Sequence, residues 1–185
     1  MGSQISFLLQ DDGSYVAGLA IRRTVYWQDG NGSSFKMNHL GQDVLNSHPI
    51  IIEDNTVVYA RNRFDPGTGN LFIMKGQGEG AGGWTVIFRN IEVEDPRPTH
   101  QAFKIMMEKV PEYSHGGYER RGPGDLYGII FQNITVAAKS VTGQPEIIWG
   151  IPEGIIFGLT FDNVVIAGEK VESIDYFVHN EYVFN

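Results

Sequence analysis

The apolar and polar positions of this chain return to one short theme. The segments I-I-E-D-N-T-V-V, V-I-F-R-N-I-E-V, I-I-F-Q-N-I-T-V and L-T-F-D-N-V-V-I each carry an Asn near their centre, at Asn55, Asn90, Asn133 and Asn163. Apolar residues alternate on either side, which is the period of a strand, where neighbouring side chains leave opposite faces. An earlier segment, L-A-I-R-R-T-V-Y, fits the theme with Arg23 at the Asn position, so the intervals are 32, 35, 43 and 30 residues.

A second apolar piece follows each segment: F-K-M at 35–37, F-I-M at 72–74, F-K-I at 103–105, I-I-W at 147–149 and Y-F-V at 176–178. Turns rich in Gly and Pro, such as D-G-N-G and D-P-G-T-G-N, lie between the paired pieces. The unit is strand, turn, strand and a longer loop back. Repetition of such units predicts an all-β chain, a right-handed parallel β-helix (a solenoid) of about five rungs, as a single domain over 1–185. A β-sandwich is the alternative, but its strands have no reason to repeat one motif at this period.

In a β-helix the recurrent Asn residues turn inward at one corner and stack into a ladder of amides. The alternation places Phe35, Met37, Phe72, Met74, Phe103 and Ile105 inside, together with Trp149. It places Lys36, Asn38, Lys75 and Lys104 outside, on one wall.

Charge and composition narrow the partners. The 185 residues are 42% hydrophobic, enough for a sizeable core, and 14 Lys+Arg against 22 Asp+Glu give a net charge of -8. That balance opposes a nucleic-acid backbone or an anionic membrane as partner. No run of 18 apolar residues offers a transmembrane helix. The first residues, M-G-S-Q-I-S-F-L-L-Q, lack the basic start and the cleavage site of a signal peptide. The absence of cysteine excludes disulfides and thiolate metal sites. His39, His100, His115 and His179 are too scattered for a metal site, and the glycines at 76–83 do not join a strand to a helix as a nucleotide loop would. No cofactor is expected.

The candidate chemistry is carboxylate chemistry. Residues 8–13 read L-L-Q-D-D-G, and adjacent carboxylates raise one another's pKa, which keeps a proton available for acid catalysis. The run L-Q-D-D-G, then R-R-T-V-Y-W-Q-D-G-N-G-S-S-F-K-M, then G-Q-D-V resembles the core of glycoside hydrolase family 49, the dextranases and isopullulanases. In that resemblance Asp11 and Asp12 match the family's Asp pair, Trp27 its strand tryptophan, and Asp43-Val44 its D-V element. The resemblance implies a right-handed β-helix that inverts α-glucan linkages, with Asp11 as general acid, Asp12 as a candidate base, and an extracellular or periplasmic location. The family carries a third catalytic Asp one rung upstream, and no acid precedes Asp11, which implies weak or absent hydrolysis by this chain alone.

On the wall beside the pair, Lys36, Asn38, Lys75 and Lys104 are candidates for binding sugar hydroxyls or an acidic sugar. Trp27 and Tyr113 are candidates for stacking on sugar rings. Tyr113, His115 and Arg120 belong to the longest loop, where core packing explains least. The expected partner is a polysaccharide or oligosaccharide. The other reading is a non-catalytic module that binds carbohydrate or protein, or self-assembles. The apolar segments at the two ends of the chain predict a homodimer through exposed β-helix ends.

Overall fold

The computed structural model describes residues 5–7, 19–30, 35–38, 49–62, 72–76, 86–97, 102–107, 125–139 and 143–185. In chain order the strands are β1 (Ile5–Phe7), β2 (Ala20–Arg22), β3 (Val25–Gly30), β4 (Phe35–Asn38), β5 (Ile50–Asn62), β6 (Phe72–Gly76), β7 (Val86–Arg97) and β8 (Phe103–Met107). They continue with β9 (Leu126–Tyr127), β10 (Ile129–Val136), β11 (Ile147–Trp149), β12 (Ile156–Phe157), β13 (Thr160–Ile166), β14 (Glu169–Val171) and β15 (Val183–Phe184). Among the described residues the only helical piece is a 3-10 turn at Ile174–Tyr176, capped by the Ser173 side chain.

The strands form three sheets. The first has the order β1-β4-β6-β8-β11, the second β14-β13-β10-β7-β5-β2 with β3 also beside β5, and the third β15-β12-β9. Strands pair with the equivalent strand one repeat away. All these pairs are parallel except β13 with β14, which run antiparallel. Ala167 and Gly168, both at positive φ (50° and 81°), make the two-residue turn that reverses the chain there. The chain is thus nearly all β and dominated by parallel sheets.

Register explains the apolar pattern. Ile52, Phe88, Phe131 and Phe161 are successive partners across β5, β7, β10 and β13. Phe88 and Phe131 stack at 5.2 Å, and Phe131 and Phe161 at 5.5 Å, with rings within a few degrees of parallel. Phe103, from the first sheet, meets Phe131 edge-on at 5.1 Å, so the interior joins both sheets. Val57, Val93, Val136 and Ile166 form another fully buried row. Buried side chains of this size contribute roughly 1.5–3 kcal/mol each, so these rows carry much of the cohesion between repeats.

The Asn corner departs from expectation in two respects. Asn90, Asn133 and Asn163 do stack: Asn163 Nδ2 donates to Asn133 Oδ1 at 2.9 Å, and Asn133 Nδ2 to Asn90 Oδ1 at 3.1 Å. Their side chains are exposed rather than inward, however, and all three residues sit at positive φ near 53°. A left-handed corner in a strand suits Asn, whose short amide tolerates that backbone, and it turns the amide outward. Second, Asn55 is not in the ladder. Ile50 pairs with Val86, so the residue matching Asn90 is Asp54, with φ 55°, and Asn90 Nδ2 donates to Asp54 Oδ1 at 2.8 Å. Arg23, with φ 54°, holds the same corner one repeat earlier. The apolar run I-I-I at 50–52 made a one-residue slip of the motif invisible in sequence.

Asn55 is instead buried. Its Oδ1 accepts from the Thr24 backbone N–H at 2.9 Å and its Nδ2 donates to the Ile21 carbonyl at 3.3 Å. It pairs in register with Ile91, so an amide replaces the Ile, Ile and Val that fill this row further on.

Candidate functional site

Register in the first sheet sets the positions expected to form a polar wall beside apolar ones. Phe35 and Phe103 are buried, as is Ile105, so the intervening positions belong to the outer face. Register places Lys36, Ile73, Lys104 and Ile147 in one row of that face. Val178 extends the row through a parallel bridge to Ile147. The neighbouring row holds Asn38, Lys75, Met106 and Trp149. Lys36, Asn38, Lys75 and Lys104 therefore share one sheet and two adjacent rows, as the alternation implies.

Trp149 was expected inside and is outside. Ile148 is the fully buried residue of β11, and Trp149 is 42% exposed. One turn of structure fixes this end of the row. Gly150 donates its N–H to Asn180 Oδ1 at 3.1 Å and accepts from Asn180 Nδ2 at 2.9 Å. A Cβ on Gly150 would meet the Tyr182 backbone and Cβ at 2.6 Å, so only glycine fits beside Trp149.

Trp27 lies on a different sheet from the lysines. It is 65% exposed on β3 and stacks on Tyr59 of β5, with ring centroids 4.9 Å apart. The register shift between Tyr26 and Trp27 is what brings Tyr59, not a residue singled out in sequence, beside Trp27. Asp11, Asp12, Tyr113, His115 and Arg120 lie outside the described residues, as do the Asp43-Val44 element and His39 and His100.

Two carboxylates are buried among the described residues. Glu53 is ion-paired on both sides, to Arg22 one repeat before and to Arg89 one repeat after, and all three share a register row. Glu146 accepts the backbone N–H groups of Ala102 at 3.2 Å and Phe103 at 2.5 Å, which anchors the start of β8. Burial pushes the Glu146 carboxyl up to about 7, against the two N–H bonds and the Lys139 charge, which favour the anion. These roles are internal to the stack, and neither group faces the lysine rows.

The third sheet was not foreseen. Its strands read Leu126-Tyr127-Gly128 and Ile156-Phe157-Gly158, with both glycines at positive φ (76° and 63°). Tyr127 and Phe157 stack at 4.8 Å on the outer side, and Phe184 follows in register. An apolar–aromatic–Gly triplet recurring 30 residues apart was the available signal.

Among the described residues no His, Asp and Glu side chains gather as a metal site, and no helix is long and apolar enough to cross a membrane. Comparison with known proteins finds no matching family model, no matching curated protein and no matching solved structure.

Proposed function

We propose that the chain is a right-handed parallel β-helix that acts on polysaccharide in the manner of a glycoside hydrolase. Three sheets built by pairing each repeat with the next support the solenoid. Asp11 and Asp12 are the acid and base of this reading, with Trp27, Tyr113, His115 and Arg120 as further sugar contacts. The observation that carries the reading is the outer face of the first sheet, where Lys36, Asn38, Lys75 and Lys104 occupy adjacent rows that end at Trp149.

Inverting hydrolysis places a second carboxyl about 6.5–9.5 Å from the acid. Reducing-sugar release from dextran and pullulan, with retention of the protein in gels containing each glycan, tests the reading. The expected outcome is glycan retention with slow hydrolysis that Asp11→Asn or Asp12→Asn abolishes. Absence of both retention and hydrolysis on every glycan overturns the proposal.

The second reading is a non-catalytic, self-associating module. It is favoured by the strands β2 and β3, each of which has a single neighbour, β5, among the described strands and leaves one edge unpaired. Light scattering at micromolar concentration distinguishes the homodimer this implies from a monomer.

A further inference from the structure

Lys36, Lys75 and Lys104 are three of the six lysines in a chain of net charge -8. Register brings these three into two neighbouring rows of one sheet face. Among the described residues no Asp or Glu shares those rows, whose other members are Ser6, Asn38, Ile73, Met106, Ile147, Trp149 and Val178. Rows that carry lysines and, among the described residues, no acid favour a polyanion over a polycation. The rows are also periodic. Along the first row the order is Lys36, Ile73, Lys104, Ile147, so cation and apolar contact alternate at each strand. Neighbouring strands are about 4.8 Å apart, which puts positions 36 and 104 about 9.6 Å apart. One strand spacing is close to the length of one pyranose residue in an extended glycan. A chain lying across the strands would therefore present a group to each strand, and its alternate residues would meet Lys36 and Lys104.

We infer that this face binds a polyuronate, an anionic polysaccharide with one carboxylate per sugar, laid across the strands with its distal sugar against Trp149. The inference deepens the polysaccharide reading above and rests on it, and it replaces the neutral α-glucan of the family resemblance as the ligand. Regular carboxylates match lysine positions set at whole strand spacings, which a randomly sulfated neutral glucan would not. The half-buried Met106 and Ile147 offer contact to the C–H faces of the sugar rings, and the partly exposed Trp149 supplies a stacking surface at the end of its row.

Affinity electrophoresis in gels containing alginate, dextran or dextran sulfate tests this, over a range of salt concentration. The expected result is retardation by alginate that weakens with salt and exceeds that by dextran sulfate and dextran. Replacing the three lysines together (K36Q/K75Q/K104Q) is expected to weaken alginate binding about tenfold at low salt. Trp149→Ala is expected to weaken it at every salt concentration, because stacking is not screened. Circular dichroism of each variant confirms that its β-structure is retained, and Lys170→Gln, away from this face, serves as a charge control expected to bind like the parent. Retardation by dextran alone overturns the polyuronate assignment while leaving the polysaccharide reading standing. Equal retardation by dextran sulfate and alginate, or equal loss in Lys170→Gln, overturns the spacing argument. Failure of every glycan overturns both.

Discussion

The corner formed by Asn90, Asn133 and Asn163 and the same corner at Arg23 and Asp54 solve one problem in two ways. In the later repeats like stacks on like: amide on amide outside, and Phe88 on Phe131 on Phe161 inside. In the earlier repeats unlike groups pair. Asp54 accepts from Asn90 and can donate nothing, Arg22 and Arg89 hold Glu53, and Asn55 bonds the backbone of the preceding repeat. Tyr26 also brings a hydroxyl into the interior here, and burial pushes its pKa up. Self-stacking needs only that each repeat resemble the next, so it tolerates the uneven loop lengths of 36, 43 and 30 residues between corners. Hetero-pairing restricts which repeat can follow which, because a carboxylate beside a carboxylate, or an arginine beside an arginine, would repel.

The largest expected effect tests the self-stacked interior. Phe131 touches Phe88, Phe161 and Phe103 and is fully buried. Phe131→Ala is expected to cost about 3–5 kcal/mol in urea unfolding. A loss below about 1 kcal/mol would mean the stack does not carry the later repeats. Asn55→Val comes next. It makes the row uniformly apolar, yet leaves the Thr24 N–H and the Ile21 carbonyl unpaired. A loss of about 2–4 kcal/mol is expected, and a gain in stability would show that the earlier repeats follow the same rule as the later ones.

Glu146 gives a pH signature. Its folded pKa of about 7 lies above the ordinary glutamate value of 4.5, so the proton is held more tightly in the folded state. Its contribution to stability is present in full below pH 4.5 and is lost as pH rises through 7, by about 1–3 kcal/mol. Glu146→Gln should remove that component of the pH dependence, with Lys139 and Tyr176, the charged and titratable neighbours, left in place. An unchanged slope between pH 4.5 and 7 would contradict the assignment. The smallest effect is at the ladder's end. Asp54→Asn keeps a residue suited to positive φ and an acceptor for Asn90, so a change under about 1 kcal/mol is expected. A loss of 2 kcal/mol or more by thermal melting would mean that the carboxylate itself is required.

Much of this architecture was legible in the chain because period-2 alternation and internal repetition survive without knowledge of contacts. The strands around Asn90, Asn133 and Asn163 and the pieces at 35–37, 72–74 and 103–105 were placed correctly. The misreadings have specific causes. Three isoleucines in succession gave two equally good registers at Asn55, and only hydrogen bonding to β7 separates them. Trp149 was placed inside because a short strand of three apolar residues has no polar member to set its phase. The two-residue strands of the third sheet are too short for any periodicity. The Trp27–Tyr59 pair depends on a register shift between Tyr26 and Trp27, a bulge no sequence pattern announces.

The reversal at Ala167–Gly168 makes the seven-stranded sheet a vector with two different ends. At one end β2 and β3 have no neighbour beyond them among the described strands, and a parallel neighbour would extend that edge in phase. At the other end β14 runs against the strands before it, so a further strand in their direction pairs there antiparallel and does not continue the parallel ladder. Head-to-tail growth by one continuous parallel ladder needs two complementary ends, and the described sheet has one. A two-residue hairpin of ordinary composition thus gives the described sheet a direction: in-phase parallel extension is possible beside β2 and β3 and stops at β14.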